Sequence, residues 1–179
     1  MNANLLSANP RATSREADGS FALCTAADNL EFLDQCLLFD LHRASRRVTT
    51  LYNERLRPTG LTMVHFTLMR NIVAIAPAAI TKVARTLLMD RTSVTRLVAP
   101  LVRKGFVEFV AGGDLRVKKL AVTPQGVRAI RRSEIAWRTA QEELHEAIGS
   151  KQWLAMRRAL RATVKSVRAS REERLNHPH

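Results

Sequence analysis

The sequence predicts a mainly helical protein with one small β-hairpin, and three observations support this fold class. Apolar residues recur every three or four positions in several separate stretches, which is the period of an amphipathic helix. A central stretch, residues 106–122, instead places β-branched and aromatic residues on both sides of a glycine pair, which is typical of a hairpin. The 179 residues are 46% hydrophobic, so the chain is long and apolar enough for a hydrophobic core.

The N-terminal part divides into an arm and a long helix. Residues 1–28 are rich in Ala, Ser, Asn and Arg, so we expect a mobile N-terminal arm. The apolar spacing then predicts a helix over residues 30–56, which the turn sequence at 57–60 ends. Because residues 37–39 are apolar on more than one face, this helix is expected to pack on two sides.

Three shorter helices follow. Thr62 is the predicted N-cap of the second helix, whose expected core residues are Val64, Phe66, Leu68, Met69 and Ile72. Pro77 separates this helix from a third one, predicted over residues 78–88. Asp90 caps a fourth helix that Gly105 ends. Its predicted buried residues are Val94, Leu97, Val98, Leu101 and Val102.

The hairpin and two further helices complete the prediction. Residues 106–110 and 117–122 are the two strands, joined by a turn at 111–114. A long helix begins at Thr123-Pro124 and ends before Gly149-Ser150. The last helix is expected to turn a row of apolar residues inward: Trp153, Met156, Leu160, Val164 and Val167.

The charge favours a polyanionic partner and excludes several classes of protein. The chain has 29 Lys and Arg against 16 Asp and Glu, a net charge of +13, and residues 91–132 hold ten of these cations. No apolar run is long enough to span a bilayer, and no secretory signal precedes the first helix. Two cysteines form no disulfide framework, so we expect a cytoplasmic protein. Few aromatic residues argue against a module that stacks single-stranded bases.

Two short helices joined by a tight turn and followed by a basic hairpin form a winged helix-turn-helix, here residues 61–123. A major groove about 12 Å wide admits one helix, and a basic wing can reach the adjacent minor groove. Small hydroxyl residues allow close approach, while Arg reads guanine edges or phosphates. The alternative is a solvated helix face and an exposed hairpin. The predicted contacts to double-stranded DNA are Arg91, Thr92, Ser93, Thr95, Arg96, Arg116 and Lys118.

Five segments, in order, resemble the MarR (multiple antibiotic resistance regulator) family of bacterial repressors over about residues 31–168. They are RPTGLT at 57–62, DRTSVTRLV at 90–98, KGFVE at 104–108, the wing pair Asp114 and Arg116, and LAVTPQG at 120–126. The resemblance implies a homodimer whose helical dimerisation region, residues 30–56 and 124–175, intertwines. Each protomer would then bind half of a pseudo-palindromic operator, and a small ligand or thiol oxidation would release the DNA.

The sequence departs from the family pattern at three places. Leu88 stands where the family has Gly, and a bulky residue disfavours the positive φ of such a turn. Pro100 lies inside the recognition helix and predicts a kink. The wing is one residue shorter at its tip, which makes minor-groove insertion by Arg116 less secure.

The resemblance also implies an effector cleft beside the second helix, near His65. Arg43 and Arg46 could meet a carboxylate there and Met69 could supply an apolar wall, and His42 is a further candidate for ligand binding. An aromatic carboxylate or its thioester is therefore the expected effector. The alternative is a structural histidine with surface arginines.

Cys36 is the candidate for a thiol-sensing alternative, because a branch of the family senses hydroperoxides with a cysteine on the first helix. Aligned on Tyr52, however, that reactive position falls at Leu38, and a partner tyrosine position holds Met63. A free Cys among apolar neighbours is usually a small buried hydrophobe.

An enzyme, a cofactor and a metal site are not expected, because no phosphate loop, nucleophile elbow or zinc spacing of histidines is present. The rival from another class is a basic helical interaction protein that uses residues 150–179 to dock an acidic partner, without an operator. The leading prediction is a cytoplasmic, dimeric, ligand-responsive repressor.

Overall fold

A computed structural model describes residues 33–111 and 118–176 of the chain. By its internal contacts the chain divides into two compact units, residues 1–40 and residues 41–179. Six longer α-helices, a 3-10 helix (Arg57–Thr59), a short helical segment at residues 33–35 and three strands lie in the described part. The helices are α1 (Leu37–Leu56), α2 (Met63–Ile75), α3 (Ile80–Leu87), α4 (Arg91–Arg103), α5 (Pro124–Ile148) and α6 (Ser150–Asn176). The strands are β1 (Ala78–Ala79), β2 (Val107–Ala111) and β3 (Lys118–Val122). Within 33–111 and 118–176, no helix is both long and apolar enough to cross a membrane.

The first helix is shorter than predicted. Residues 33–35 form one separate helical turn, Cys36 interrupts it, and α1 starts at Leu37. The expected arm at 1–28 and the predicted start of the helix at 30–32 lie outside the described residues. Leu37 and Leu38 are 63% and 61% exposed, so the chain's own residues do not give this end the two-sided packing we expected.

The second helix begins as predicted and ends before a strand that sequence reasoning missed. The Thr62 side chain accepts a hydrogen bond from the His65 amide, which confirms the N-cap. Four of its five predicted core residues are buried, while Val64 is exposed. Ala78 and Ala79, predicted to begin the third helix, instead form β1, because their backbone pairs with β3. The peptide bond before Pro77 is cis.

The sheet has three antiparallel strands in the order β1-β3-β2, rather than the two of the predicted hairpin. Ala78 pairs with Leu120, and Phe109 pairs with Leu120 from the other side. Residues 112–117, including Asp114 and Arg116, lie outside the described residues. We call β2, β3 and the segment between them the wing.

One apolar core joins the helices and the sheet. Leu68, Met69 and Ile72 of α2 meet Val94, Val98 and Leu101 of α4, with Leu120 of the sheet and Ala129 of α5. Two polar links also tie α1 to α5. The Tyr52 hydroxyl donates to Gln141, and Arg55 forms a two-point ion pair with Glu143 at 2.5 and 2.9 Å. The Arg55–Glu143 pair lies on partly exposed surface, whereas Tyr52 is buried. Because exposed ion pairs contribute little, burial of apolar side chains contributes most of the stability.

The last helix leaves its apolar row open. Trp153 is half-buried and its ring meets the His145 ring edge-on at 5.4 Å. The prediction that the rest of the row points inward is wrong for the single chain, because those side chains are exposed: Met156, Leu160, Val164 and Val167. Residues 33–111 and 118–176 therefore leave this apolar row uncovered.

The turn between α3 and α4 contains a strained residue. Leu88 has φ 53° and ψ 40°, and it is the one non-glycine residue with a positive φ in 33–111 and 118–176. This confirms that the turn needs the left-handed conformation that glycine adopts without strain. The assigned α4 continues through Pro100, and the kink at that residue stays a prediction.

Replacing Leu88 with Gly should therefore stabilise the protein. A left-handed conformation costs an L-residue about 1–2 kcal/mol, and the extra freedom of an unfolded glycine offsets about half of that gain. Since the Leu88 side chain is 73% exposed, little burial is lost. We expect the free energy of unfolding in urea to rise by about 0.5–1 kcal/mol. Leu88→Ala is the control and should show no such rise; equal stability of the two variants would contradict the strain argument.

Candidate nucleic-acid interface

The N-terminus of α4 is fixed by a cap at Asp90. One carboxylate oxygen of Asp90 accepts a hydrogen bond from the Ser93 amide at 2.8 Å, and the other accepts one from the Ser93 hydroxyl at 2.6 Å. These hydrogen bonds hold the pKa of Asp90 below its ordinary value. The Ser93 hydroxyl, one of the predicted DNA contacts, is therefore engaged in the cap in this structure.

The outer face of α4 is cationic and open. Arg91, Thr92, Thr95 and Arg96 are all exposed, as the helical period predicted. The Thr95 hydroxyl donates to the Arg91 carbonyl at 2.8 Å and so lies close to the helix backbone. The ion pairs in the described part of the chain involve other arginines, so Arg91 and Arg96 keep their guanidinium groups available for an anion.

The inner face of α4 anchors the helix in the core. Val94, Val98 and Leu101 are no more than 1% exposed and lie one turn apart along the helix. Rigid packing of this face means that the opposite face is held in one orientation. The helix therefore presents its arginines from a fixed support, which is what groove recognition requires.

Hydrogen bonds fix the base of the wing against α4 and α5. The Thr123 hydroxyl donates to the Gly105 carbonyl at 2.6 Å, and the Thr123 amide donates to the Phe106 carbonyl at 3.0 Å. Lys104 donates to the Gly60 carbonyl at 3.0 Å, which ties the end of α4 to the turn after α1. Lys118, at the start of β3, is exposed as predicted, whereas Arg116 lies in the segment that the structure does not describe.

The five predicted effector residues do not share one cavity. Arg43 and Arg46 line an open cavity of about 490 Å³ with a mixed polar and apolar surface along α1, together with Ala44, Arg47 and Thr50. His42, on the same helix, is exposed.

The other two predicted residues lie on α2. His65 is half-buried with Nδ1 3.0 Å from the Thr62 hydroxyl, and burial, aided by the positive charge of Lys104, lowers its pKa. Met69 is fully buried in the core. Its place in an effector cleft stays a prediction, as do the places of Arg43 and Arg46.

No family model matches the sequence, but solved structures do match the fold. MosR, a transcriptional regulator of M. tuberculosis solved with DNA, is 28% identical, with 76% of this chain and 99% of that chain covered and a TM-score of 0.67. A MarR mutant from E. coli, solved with operator DNA, is 22% identical over 74% of this chain and 96% of that chain, with a TM-score of 0.68. PcaV from Streptomyces coelicolor, solved with its natural ligand, is 18% identical over 75% and 96%, with a TM-score of 0.67.

The chain has the fold of the MarR family of transcriptional regulators. The family resemblance noted in the sequence and the mainly helical, winged fold class are both confirmed. These neighbours are regulators and not enzymes, in agreement with the motif analysis. In this MarR-type frame, α3 and α4 are the helix-turn-helix and β2 and β3 are the strands of the wing.

Sequence reasoning missed a second, mostly apolar cavity of about 230 Å³ in the MarR-type domain. The lining residues come from α1, α2, the last residue of α3, the turn after it, and α4. They are Thr49, Met63, Val64, Thr67, Leu68, Leu87, Met89 and Leu97. The sequence assigned Val64 and Leu68 of this lining to the core, and such an assignment predicts packing and not a gap.

Cys36 stays an untested redox candidate. It is a half-buried free cysteine at the irregular residue before α1, and its amide lies 3.4 Å from the Leu33 carbonyl. Sets of three or more His, Cys, Asp or Glu side chains placed to hold a metal ion are absent from 33–111 and 118–176.

Proposed function

We propose that this chain is a DNA-binding transcriptional regulator that places α4 in the major groove of double-stranded DNA. The observation that carries the proposal is that α4 is amphipathic. Val94, Val98 and Leu101 are buried on one face, and Arg91 and Arg96 are exposed on the opposite face. A net charge of +13 supplies long-range attraction to phosphates. MosR, the neighbour with 28% identity, was solved with DNA, which supports the same role here.

We further propose a homodimer that acts as a repressor on a pseudo-palindromic operator. Residues 61–123 would be the DNA-binding domain, and 30–56 with 124–175 the dimerisation region. The exposed apolar row on α6 supports this division, because a single chain leaves it in water. Two copies of α4 related by a two-fold axis would read half-sites about 10 bp apart. The wing, with Lys118 at the tip end of β3 and Arg116 in the segment between the two strands, would add contacts beside each half-site.

Release by a small ligand is the third part of the proposal. A ligand acts only through a difference in its affinity for the DNA-competent and DNA-incompetent states. The cavity at Arg43 and Arg46 supports an anionic ligand such as an aromatic carboxylate, because its guanidinium groups can pair with a carboxylate. PcaV was solved with its natural ligand, which supports a ligand-binding role for this chain.

The test is a gel-shift titration of Arg96→Ala against DNA upstream of the protein's own gene. Loss of one base-reading arginine should weaken binding by about 1–3 kcal/mol, or about 5- to 150-fold. Arg132→Ala, an exposed arginine on α5 outside the predicted contact set, is the matched control and should change affinity little.

Competition with bulk DNA in 150 mM salt separates a regulator from a basic interaction protein. A regulator should keep its preference for its own upstream DNA, because base contacts are insensitive to salt while phosphate contacts weaken. Wild-type affinity in Arg96→Ala would contradict the assignment of that residue. No preference over bulk DNA would contradict the regulator itself.

A further inference from the structure

The last helix carries a line of cations that the α4 interface does not use. Residues 147–171 contain seven Lys and Arg and no Asp or Glu. Four of these cations recur every three or four positions along α6, and their side chains are exposed. We call these four residues the α6 basic stripe: Arg158, Arg161, Lys165 and Arg168. At a rise of about 1.5 Å per residue, the stripe is about 15 Å long.

Most of the α6 basic stripe has no carboxylate to neutralise it. Among the ion pairs in residues 33–111 and 118–176, only the one between Arg168 and Glu172, at 2.8 Å, involves the stripe. Like charges three or four residues apart destabilise a helix, and helices in water commonly alternate them with carboxylates. From Arg158 to Lys165 the helix has cations only among its charged residues. A bound polyanion would remove this repulsion.

The stripe lies on a different face of α6 from the apolar row. At about 100° per residue, the two are separated by about 120° around the helix axis. Among the described elements, α6 packs chiefly against α5, with the His145 and Trp153 rings in contact, and not against α4 or the wing. A partner protomer can therefore cover the apolar row while the stripe stays open to another molecule.

The composition of the stripe favours a row of phosphates. Three of its four cations are arginines, whose planar guanidinium groups form paired hydrogen bonds with phosphate oxygens. Duplex DNA presents one negative charge per about 1.7 Å of its axis, so a line about 15 Å long faces about nine charges. The stripe contains no aromatic side chain to stack single-stranded bases, and the apolar row that could enter a bilayer lies on another face.

We propose that the α6 basic stripe binds the phosphates of a second DNA duplex, so that one dimer joins two duplexes. The joining rests on the function proposed above, because α4 must hold the first duplex. Phosphate contacts carry no sequence information, so the second duplex is bound whatever its sequence. The two surfaces therefore differ in role: α4 selects a site, and the stripe attracts any neighbouring segment of DNA.

A bridging assay with full-length protein tests this. Upstream DNA that carries biotin is fixed to streptavidin beads in excess over the protein, so that every α4 is occupied. A fluorescent duplex of unrelated sequence is then added in about 50 mM salt, where phosphate contacts are strong. Wild type should retain the fluorescent duplex on the beads, and beads without protein should not.

A neutral variant shows whether the stripe holds the second duplex. Combining Arg158→Gln, Arg161→Gln and Lys165→Gln removes three charges and keeps residues of good helix propensity. This variant should bind upstream DNA like wild type but retain the fluorescent duplex at least about tenfold less well. Each phosphate contact contributes about 0.9 to the salt slope, so the slope for the second duplex should fall by about 3.

The matched control removes the same charge elsewhere. Arg128, Arg131 and Arg132 are exposed on α5, and their combined replacement with Gln should leave retention of the second duplex unchanged. No retention by wild type, equal retention by the stripe variant, or an equal loss in the control would each overturn the proposal. Binding of wild type to vesicles of phosphatidylserine and phosphatidylcholine without retention of a second duplex would assign the stripe to a membrane instead. Failure of wild type to prefer its upstream DNA over unrelated DNA would overturn the function proposed above.

Discussion

Replacing Gly126 with Ala should destabilise the protein by about 3 kcal/mol, at the upper end of the usual cost of overpacking. A Cβ atom at this position would lie 2.1 Å from the Phe106 carbonyl oxygen and 2.7 Å from a methyl group of Val122. The first of these atoms is backbone, so it cannot rotate out of the way. Phe106 and Val122 flank the wing, and the added methyl group would therefore push the wing away from α5. Urea denaturation followed by circular dichroism measures the loss.

Gly60→Ala is the control, because it separates steric crowding from conformational strain. Nothing lies within 4 Å of the Cβ position at Gly60, but its φ is +76° and its ψ is 8°. The cost there should be about 1 kcal/mol, from the left-handed conformation alone. If Gly126→Ala unfolds at the same urea concentration as wild type, the close approach of α5 to the wing is not required. A loss of DNA affinity in Gly126→Ala under conditions where it remains folded would support a role for wing position in binding.

The parts of the fold that depend on local sequence could be predicted. The caps at Thr62, Asp90 and Thr123 each depend on one side chain and an amide three residues later, so the signal and its effect lie together. The helical periods of α2 and α4 likewise specify their own buried faces. The left-handed conformation at Leu88 was predicted because the family pattern has glycine at this position, and the structure confirms it.

The features that depend on distant residues could not be predicted. β1 is only Ala78-Ala79, which has no strand propensity and forms because β3, forty residues later, offers its edge. The role of Gly126 is hidden for the same reason, because only the folded chain brings Phe106 against it. For Val64 the error has the opposite direction. Its position in the helical period predicts a buried side chain, but that side chain is 43% exposed.

The candidate site likewise has features that local sequence predicts and features that depend on the folded chain. Exposure of Arg91 and Arg96 follows from the phase of α4 and was predicted, whereas the engagement of the Ser93 hydroxyl by Asp90 depends on which rotamer the cap selects. The family resemblance places the effector residues in one cleft. In the structure some of them lie on an exposed face of α1 and the others lie on α2, in or near the core. The apolar cavity is a gap that the surrounding side chains do not fill. The spacing of apolar residues along a helix carries no information about such gaps.

The open apolar row on α6 leads to the second large expected effect. Leu160 is 43% exposed in the single chain, and we expect the partner protomer to cover it. Leu160→Asp would then bury an unpaired carboxylate at the interface, which costs at least about 2 kcal/mol per protomer at an interface hot spot. Two-fold symmetry places the change in the interface twice, so the dimer dissociation constant should rise by about a thousandfold. Sedimentation equilibrium over a range of protein concentrations measures this constant.

Ala162→Asp is the matched control for this experiment, because it adds the same charge to the same helix about 200° around the axis. Ala162 is exposed and lies outside the apolar row, so its variant should dimerise like wild type. Since each half-site is weak alone, Leu160→Asp should also lose most of its operator affinity while Ala162→Asp keeps it. A wild-type chain that sediments as a monomer at every concentration, or two variants that dissociate equally, would show that the apolar row serves another partner and that α4 does not act in pairs.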